Sequence, residues 1–307
     1  DRTNVFACFT DIMGCRSTDS GAAWGFPSGL SYNSTYQAIK HPSAGILYAS
    51  ASSVHDMYAW DRYCKDADLD AGTGAIIYST GQATGWQTLH NFGHPVVGLA
   101  MDPMNSSRML ATVVHSTLGG VFMTTNLQAG TGATWTRLAV PPRTQGHPYA
   151  VRVLTDGTFV CSFSARITTD FTDSSGVFVS LNGGVSWIDR SAAGMHYYTK
   201  DLVVDPADAS QQTWYAGVWG EWGASSGLGG LYMTTNRGVS WTRITSGIKS
   251  VESCAVNPAN SSEMYVTTET QGLWISANRL AASPVFTAVA SYPFRFPTRA
   301  IFNPYDT

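Results

Sequence analysis

Thr234-Thr-Asn-Arg-Gly-Val-Ser-Trp241 decides the fold, because the chain keeps returning to it. The same order of small, polar, glycine and aromatic residues stands at Ser17-Thr-Asp-Ser-Gly-Ala-Ala-Trp24 and Ser180-Leu-Asn-Gly-Gly-Val-Ser-Trp187. Looser copies are Ser79-Thr-Gly-Gln-Ala-Thr-Gly-Trp86 and Thr124-Thr-Asn126, the latter closing after an insertion at Gly132-Ala-Thr-Trp135. A decayed copy starts at Ser276-Ala-Asn278 and ends at Phe286. Recurrence every ~50 residues marks tandem supersecondary units.

A second marker runs ahead of each box. It reads His41-Pro42, Asp102-Pro103, Asp205-Pro206, Asn257-Pro258 and Asn303-Pro304, with Thr155-Asp156-Gly157 in the equivalent place of the fourth unit. A β-rich run follows each, such as Met109-Leu-Ala-Thr-Val-Val114. Apolar alternation bounded by Gly, Pro, Asn and Asp signals strands and turns, and no amphipathic helix pattern competes. Each unit therefore reads as strand A, an Asp-Pro turn, strand B, a loop, strand C, the box and strand D. Four-stranded antiparallel units in tandem are blades of an all-β β-propeller.

The ends fit each other. Arg299–Thr307 reads as a strand A with its turn, and Asn4–Thr10 reads as a strand B. Joined, they complete one blade and remove the edges of an open array. This predicts six blades closed by the N- and C-terminal strands, in one propeller domain over residues 1–307. The alternative is a fragment of a seven-bladed propeller, or of a longer multidomain chain.

Composition narrows the partners. Charged residues make up 13% and the formal net charge is −3, which argues against nucleic acid. No apolar run reaches membrane-spanning length. The cysteines lack metal-ligand spacing. Cys8 and Cys15 fall on one hairpin, where they are either a disulfide or buried thiols. Four lysines, ten tryptophans and the repeat type suggest an extracellular or periplasmic protein.

In a box, a short polar side chain accepts hydrogen bonds from its own turn and glycine supplies positive φ. Asp19, Asn182 and Asn236 are thus structural. Successive turns of an antiparallel meander alternate between strand ends. The boxes and the Asp-Pro turns share one end, so function is expected at the other, in the B–C and D–A loops. Those loops carry Asp11, His55, Asp56, Tyr58, Trp60, Asp61, Arg166, Tyr198, Trp219, Glu221 and Trp222. Flat aromatics take the apolar faces of sugar rings, and carboxylates and arginine take the hydroxyls. Residues 56–70 hold five of the 21 acidic residues. Asp66-Ala-Asp68-Leu-Asp70 is like the start of a calcium loop, since hard cations want several oxygens close together. It lacks the glycine and glutamate of an EF-hand. Calcium is one reading, catalytic carboxylates another and a solvated acidic loop a third; no cofactor is required.

Boxes ending in Trp, Asp-Pro turns and Gly229-Gly-Leu-Tyr-Met-Thr-Thr-Asn236 resemble the Asp-box (BNR-repeat) propellers, most closely the xyloglucanase-type glycoside hydrolases and related secreted propellers. Thr10-Asp11-Ile12-Met13-Gly14 is similar to the Thr-Asp-Ile-Gly-Gly segment of that family, whose Asp is a catalytic carboxylate. The resemblance implies that Asp11 is a general base, with Met13 in place of a glycine. Those enzymes pair two propellers, each giving one carboxylate. Here Asp56 is the expected partner and Glu221 the reserve. His55, Tyr58, Trp60, Asp61, Trp219, Trp222, Tyr198 and Arg166 would bind the substrate. The function implied is two-carboxylate hydrolysis of a plant or microbial polysaccharide. The alternative is a non-catalytic glycan- or protein-binding propeller, self-associating or serving as a subunit of an extracellular assembly.

Overall fold

The computed structural model describes residues 3–57, 65–167, 171–196, 198–220 and 227–302. Its strands form antiparallel sheets in sequence order. The first sheet pairs β1 (Val5–Cys8) with β2 (Gly14–Ser17). The second holds β3 (Ser34–Lys40), β4 (Leu47–Ser52), β5 (Gly74–Ser79) and β6 (Gln87–Asn91). The third holds β7 (Val96–Asp102), β8 (Asn105–Val113), β9 (Gly120–Thr124) and β10 (Thr136–Arg137). The fourth holds β11 (Pro148–Val153), β12 (Phe159–Phe163), β13 (Gly176–Ser180) and β14 (Ile188–Asp189). The fifth holds β15 (Thr199–Val204), β16 (Trp214–Val218), β17 (Gly230–Thr234) and β18 (Thr242–Arg243). The sixth holds β19 (Val251–Val256), β20 (Met264–Thr268), β21 (Leu273–Ser276) and β22 (Thr287–Ala288). The blade-by-blade β-propeller architecture expected from the repeat is the one observed. No helix among the described residues is long and apolar enough to cross a membrane.

The first blade has the fewest strands among the described residues. Among the described residues its ladder is β1 with β2, extended by a bridge from Arg16 to Gly25. Residues 299–302 form no strand, and 303–307 lie outside the described residues. The register also decides the cysteine question. Cys8 faces Gly14 and Cys15 faces Ala7. Neighbouring ladder positions point to opposite faces of a sheet, so Cys8 and Cys15 do not form a disulfide with each other.

The chain divides into two compact units, residues 1–160 with 180–187 and residues 161–179 with 188–307. In unit 1, Tyr48, Ile76, Val96, Leu99, Met109 and Val113 fill the space between the second and third sheets. In unit 2, Tyr215, Leu231, Val251, Val256, Met264 and Val266 do the same for the fifth and sixth.

The repeat motifs work as local chemistry. In the first box the Gly21 amide donates to Ser17 Oγ at 2.8 Å and the Ala23 amide donates to Asp19 Oδ1 at 2.9 Å. The amides of Gly184 and Ser186 bond Ser180 and Asn182 at 2.8 and 3.0 Å, and those of Gly238 and Ser240 bond Thr234 and Asn236 at 2.9 Å each. The decayed sixth box keeps the bond from the Val285 amide to Asn278. Gly81 stands where the Asp or Asn belongs in the second box, and there Ser79 Oγ donates to the Thr84 carbonyl instead. The Asp-Pro marker is equally local. Asp102, Asp205 and Asn257 each accept the amide two residues on, at 2.8, 2.9 and 2.9 Å. At His41 the ring nitrogen takes the carboxylate's role, accepting from Ser43 and Ala44. The closing tryptophans differ in burial: Trp24 is 48% exposed, whereas Trp86 is buried.

Candidate functional site

The segment between β1 and β2 is a strained turn. The Ile12 amide donates to the Thr10 carbonyl at 2.8 Å and the Gly14 amide to the Ile12 carbonyl at 2.7 Å. The central residues, Asp11 and Met13, have φ of 66° and 68°. These are two successive γ-turns of the positive-φ type, which is rare and strained for residues with a Cβ. Surrounding bonds hold the turn in place. The Met13 amide donates to the Asn33 carbonyl, Thr35 Oγ1 donates to the Met13 carbonyl, and the Thr35 amide donates to the Phe9 carbonyl. Met13 therefore adopts the backbone conformation that favours the glycine of the resembling segment, at a conformational cost.

The loop after β4 brings the partners. Tyr36 Oη donates to the Val54 carbonyl at 2.7 Å, and Tyr149 Oη donates to the Met57 carbonyl at 2.8 Å. Two buried tyrosines thus hold the Val54–Met57 backbone. Met57 and Leu69 pack beneath with Val97 and Val114. Asp56 itself sits at φ 55°.

The result is a compact triad. His55 Nδ1 lies 2.9 Å from Asp56 Oδ2 and 3.2 Å from Asp11 Oδ1. Thr10 Oγ1 donates to the other Asp56 oxygen at 2.7 Å. Asp56 is a fifth exposed, His55 a third, and Asp11 more than half. Asp11 is thus the carboxylate that meets solvent, and His55 and Asp56 orient it. Asp11, His55 and Asp56 present atoms within 4.8 Å of one another, the one such group able to share a metal ion among the described residues.

That spacing bears on the expected division of labour. Paired glycosidase carboxylates stand about 5–5.5 Å apart for retention and roughly 6.5–9.5 Å for inversion. Asp56 brings a carboxylate oxygen within 4.8 Å of one on Asp11 and shares an imidazole with it.

The other expected residues fall into three groups. Tyr58, Trp60, Asp61, Glu221 and Trp222 lie outside the described residues. Asp66, Asp68 and Asp70 sit on a short helix, α1 (Asp66–Asp70), and do not converge as a calcium loop would. A helix sends positions two apart to different sides. Asp68 is exposed, Asp66 lies 3.5 Å from His147 Nε2, and Asp70 accepts from the amide and hydroxyl of Ser116 at 2.7 and 2.5 Å. Burial pushes the Asp70 carboxyl up, but the Ser116 bonds and His115 outweigh it and hold it below the ordinary value. In unit 2, Tyr198 and Trp219 stack at 4.7 Å, yet both are buried. The Lys200 ammonium covers both rings, at 4.7 and 4.5 Å, so neither presents a platform to sugar. Arg166 is held in its loop through its backbone, which bonds Thr172.

The segregation of ends holds within each unit. In unit 1, Asp11, His55 and Asp56 follow β1 and β4, while the boxes follow β2 and β5. In unit 2, Trp219 follows β16 and the box follows β17. Sequence reasoning missed the two clamping tyrosines, Lys200 and Glu252. Lys200 and Glu252 had a signal: charged residues inside apolar strands are almost never buried without partners.

No protein-family model matches the chain, and no curated protein matches its sequence. Solved structures share its fold. A GH74 enzyme from Niastella koreensis superposes with a TM-score of 0.68 at 13% identity, over 92% of this chain and 44% of the other. The GH74 xyloglucanase from Xanthomonas campestris gives 0.64 at 14%, over 88% and 42%. YCF48, solved with a bound D1 peptide, gives 0.55 at 11%, over 95% and 80%. The chain spans less than half the length of either GH74 protein.

Proposed function

We propose that this chain is a glycoside-hydrolase-like propeller that acts outside the cytoplasm on a polysaccharide. The observation that carries the reading is the strained, solvent-facing Asp11, oriented by His55 and Asp56 on a segment similar to a catalytic one. Strain retained at a polar cluster is typical of sites where geometry serves chemistry. Asp11 acts as the base that activates water at the anomeric carbon. His55 and Asp56 fix the direction of its carboxylate. The proton for the leaving oxygen comes from a second carboxylate, with Glu221 or a further propeller domain as its source.

Replacing Asp11 with Asn tests this. Removing a general base costs on the order of 10²–10⁴-fold in turnover. Release of reducing ends from β-glucans should fall by that factor while the far-ultraviolet circular dichroism stays unchanged. Undiminished release removes the assignment.

A non-catalytic binding role is favoured by one feature: both oxygens of the carboxylate beside Asp11 are engaged, by His55 and Thr10. Under that reading Asp11→Asn weakens retention on polysaccharide, and neither protein shows turnover.

A further inference from the structure

Unit 2 buries a cluster of charged side chains. In unit 2, β15 packs against β19. Lys200 and Asp201 on β15, Glu252 on β19 and Glu269 after β20 are all at most 4% exposed. Arg299 approaches from the surface, 3.4 Å from Asp201 Oδ2. Asp201 is well satisfied, since Ser253 Oγ donates to it at 2.7 Å and the Leu202 amide at 2.9 Å. The Glu269 amide donates to the Ser250 carbonyl, which ties the end of β20 to the start of β19.

Among the described residues, the charges facing Glu252 do not balance. Lys200 and Arg299 supply two positive charges; Asp201, Glu252 and Glu269 supply three negative ones. Cys254, two residues along β19, is kept a neutral thiol by burial, and Arg279 and Asp205 cancel each other. Either a proton or a cation can offset the excess. The cation is the poorer remedy. Lys200 already places an ammonium group there, and these carboxylates bring no three ligand atoms within reach of one ion among the described residues.

A second observation selects the proton. Glu252 Oε1 is buried without a hydrogen-bond partner. So are the indole N–H of Trp219 and the hydroxyls of Ser250 and Ser164. Trp219 bridges Ser250 and Tyr198 bridges Ser164, so these atoms gather at one end of unit 2. A buried carboxylate with a bare oxygen is far more costly than a neutral acid, and ordered water satisfies the latter.

We propose that Glu252 enters the folded state as a neutral carboxylic acid and that its ionisation is a pH-sensitive switch at this end of unit 2. Burial, opposed by Lys200 and reinforced by Glu269 and Asp201, pushes the carboxyl from 4.5 up to about 8. Once Glu252 ionises, the excess charge draws the Lys200 ammonium off the faces of Tyr198 and Trp219. The folded-state value is raised, so the stabilisation is complete below 4.5 and is lost as pH rises to about 8.

Infrared spectroscopy of the full chain, with ¹³C-labelled glutamate, tests the proposal. The wild type should show a protonated-carboxyl carbonyl band at about pH 6 that disappears with a midpoint near 8. Glu252→Gln should lack the band, and Lys200→Met should move its midpoint upward. The emission difference between wild type and Trp219→Phe should change over the same range. Absence of the band in the wild type overturns the proposal even if Glu252→Gln does not fold. A band that survives in Glu252→Gln, an unmoved midpoint in Lys200→Met, or a flat emission difference also overturns it.

Discussion

The two ends of each hairpin spend their polar side chains differently. At the box end, Ser17, Asp19, Ser180, Asn182, Thr234 and Asn236 accept amides from their own turn. At the other end, Thr10 and Asp11 meet Asp56 and His55 from the next blade, and the two aspartates sit on backbone held at positive φ. Local satisfaction of backbone donors makes a turn; convergence of side chains at a conformational cost makes a candidate site. Sequence repetition marks the first kind, because each copy solves the same local problem. The second kind occurs once, so repetition is blind to it.

The sharpest break in the comparison is chemical. Asp11→Asn should cost on the order of 10²–10⁴-fold in hydrolysis. Asp19→Asn should leave hydrolysis unchanged, because asparagine already fills that place in the fourth and fifth boxes, at Asn182 and Asn236. Equal effects from the two would erase the distinction between ends.

Next in size is a stability effect at the box end. Arg279, within the decayed sixth box, is buried against Asp205, with Nη1 2.6 Å from Oδ2 and 2.5 Å from Tyr215 Oη. Removing one partner of a buried ion pair costs about 3–5 kcal/mol, because the other charge is left uncompensated. Denaturant unfolding of Arg279→Ala should show a loss of that order. A change well under 1 kcal/mol would show that this end tolerates an orphaned Asp205.

A smaller loss is expected within a box. Asn236→Ala strips the acceptor from the Ser240 amide and the donor to Ser240 Oγ. The turn is largely exposed, so water replaces much of what is lost, leaving about 0.5–1.5 kcal/mol. A loss as large as that for Arg279→Ala would make the box a global rather than a local device.

What the sequence revealed follows the same line. The blades were legible because Trp-closed boxes and Asp-Pro turns are local signals. The position of Asp11, His55 and Asp56 opposite the boxes followed from antiparallel alternation. The spacing of Asp11 and Asp56 was not legible, since it depends on a γ-turn pair and on the hold of Tyr36 and Tyr149, distant in sequence from Asp56. Cys8 and Cys15 looked like partners only while the register was unknown; one residue of slip exchanges the faces. Tyr198 and Trp219 were placed correctly by loop but assigned wrongly, because Lys200 claims their faces.

The smallest expected effect bears on strain itself. Met13 holds φ 68° with a Cβ, which costs of order 1–3 kcal/mol. Met13→Gly removes that cost but gives the unfolded chain more freedom, worth about 0.4–1 kcal/mol against folding. The balance favours the variant by about 1 kcal/mol, read as a raised denaturant midpoint with an unchanged slope. Activity should hold or rise, because the turn bonds from Asn33 and Thr35 use the backbone of residue 13 and survive the change. A destabilised Met13→Gly would mean that the side chain contributes packing that exceeds the strain. The strained turn would then be a by-product of filling space around β1 and β2, and Asp11 would lose its main distinction from the carboxylates of the boxes.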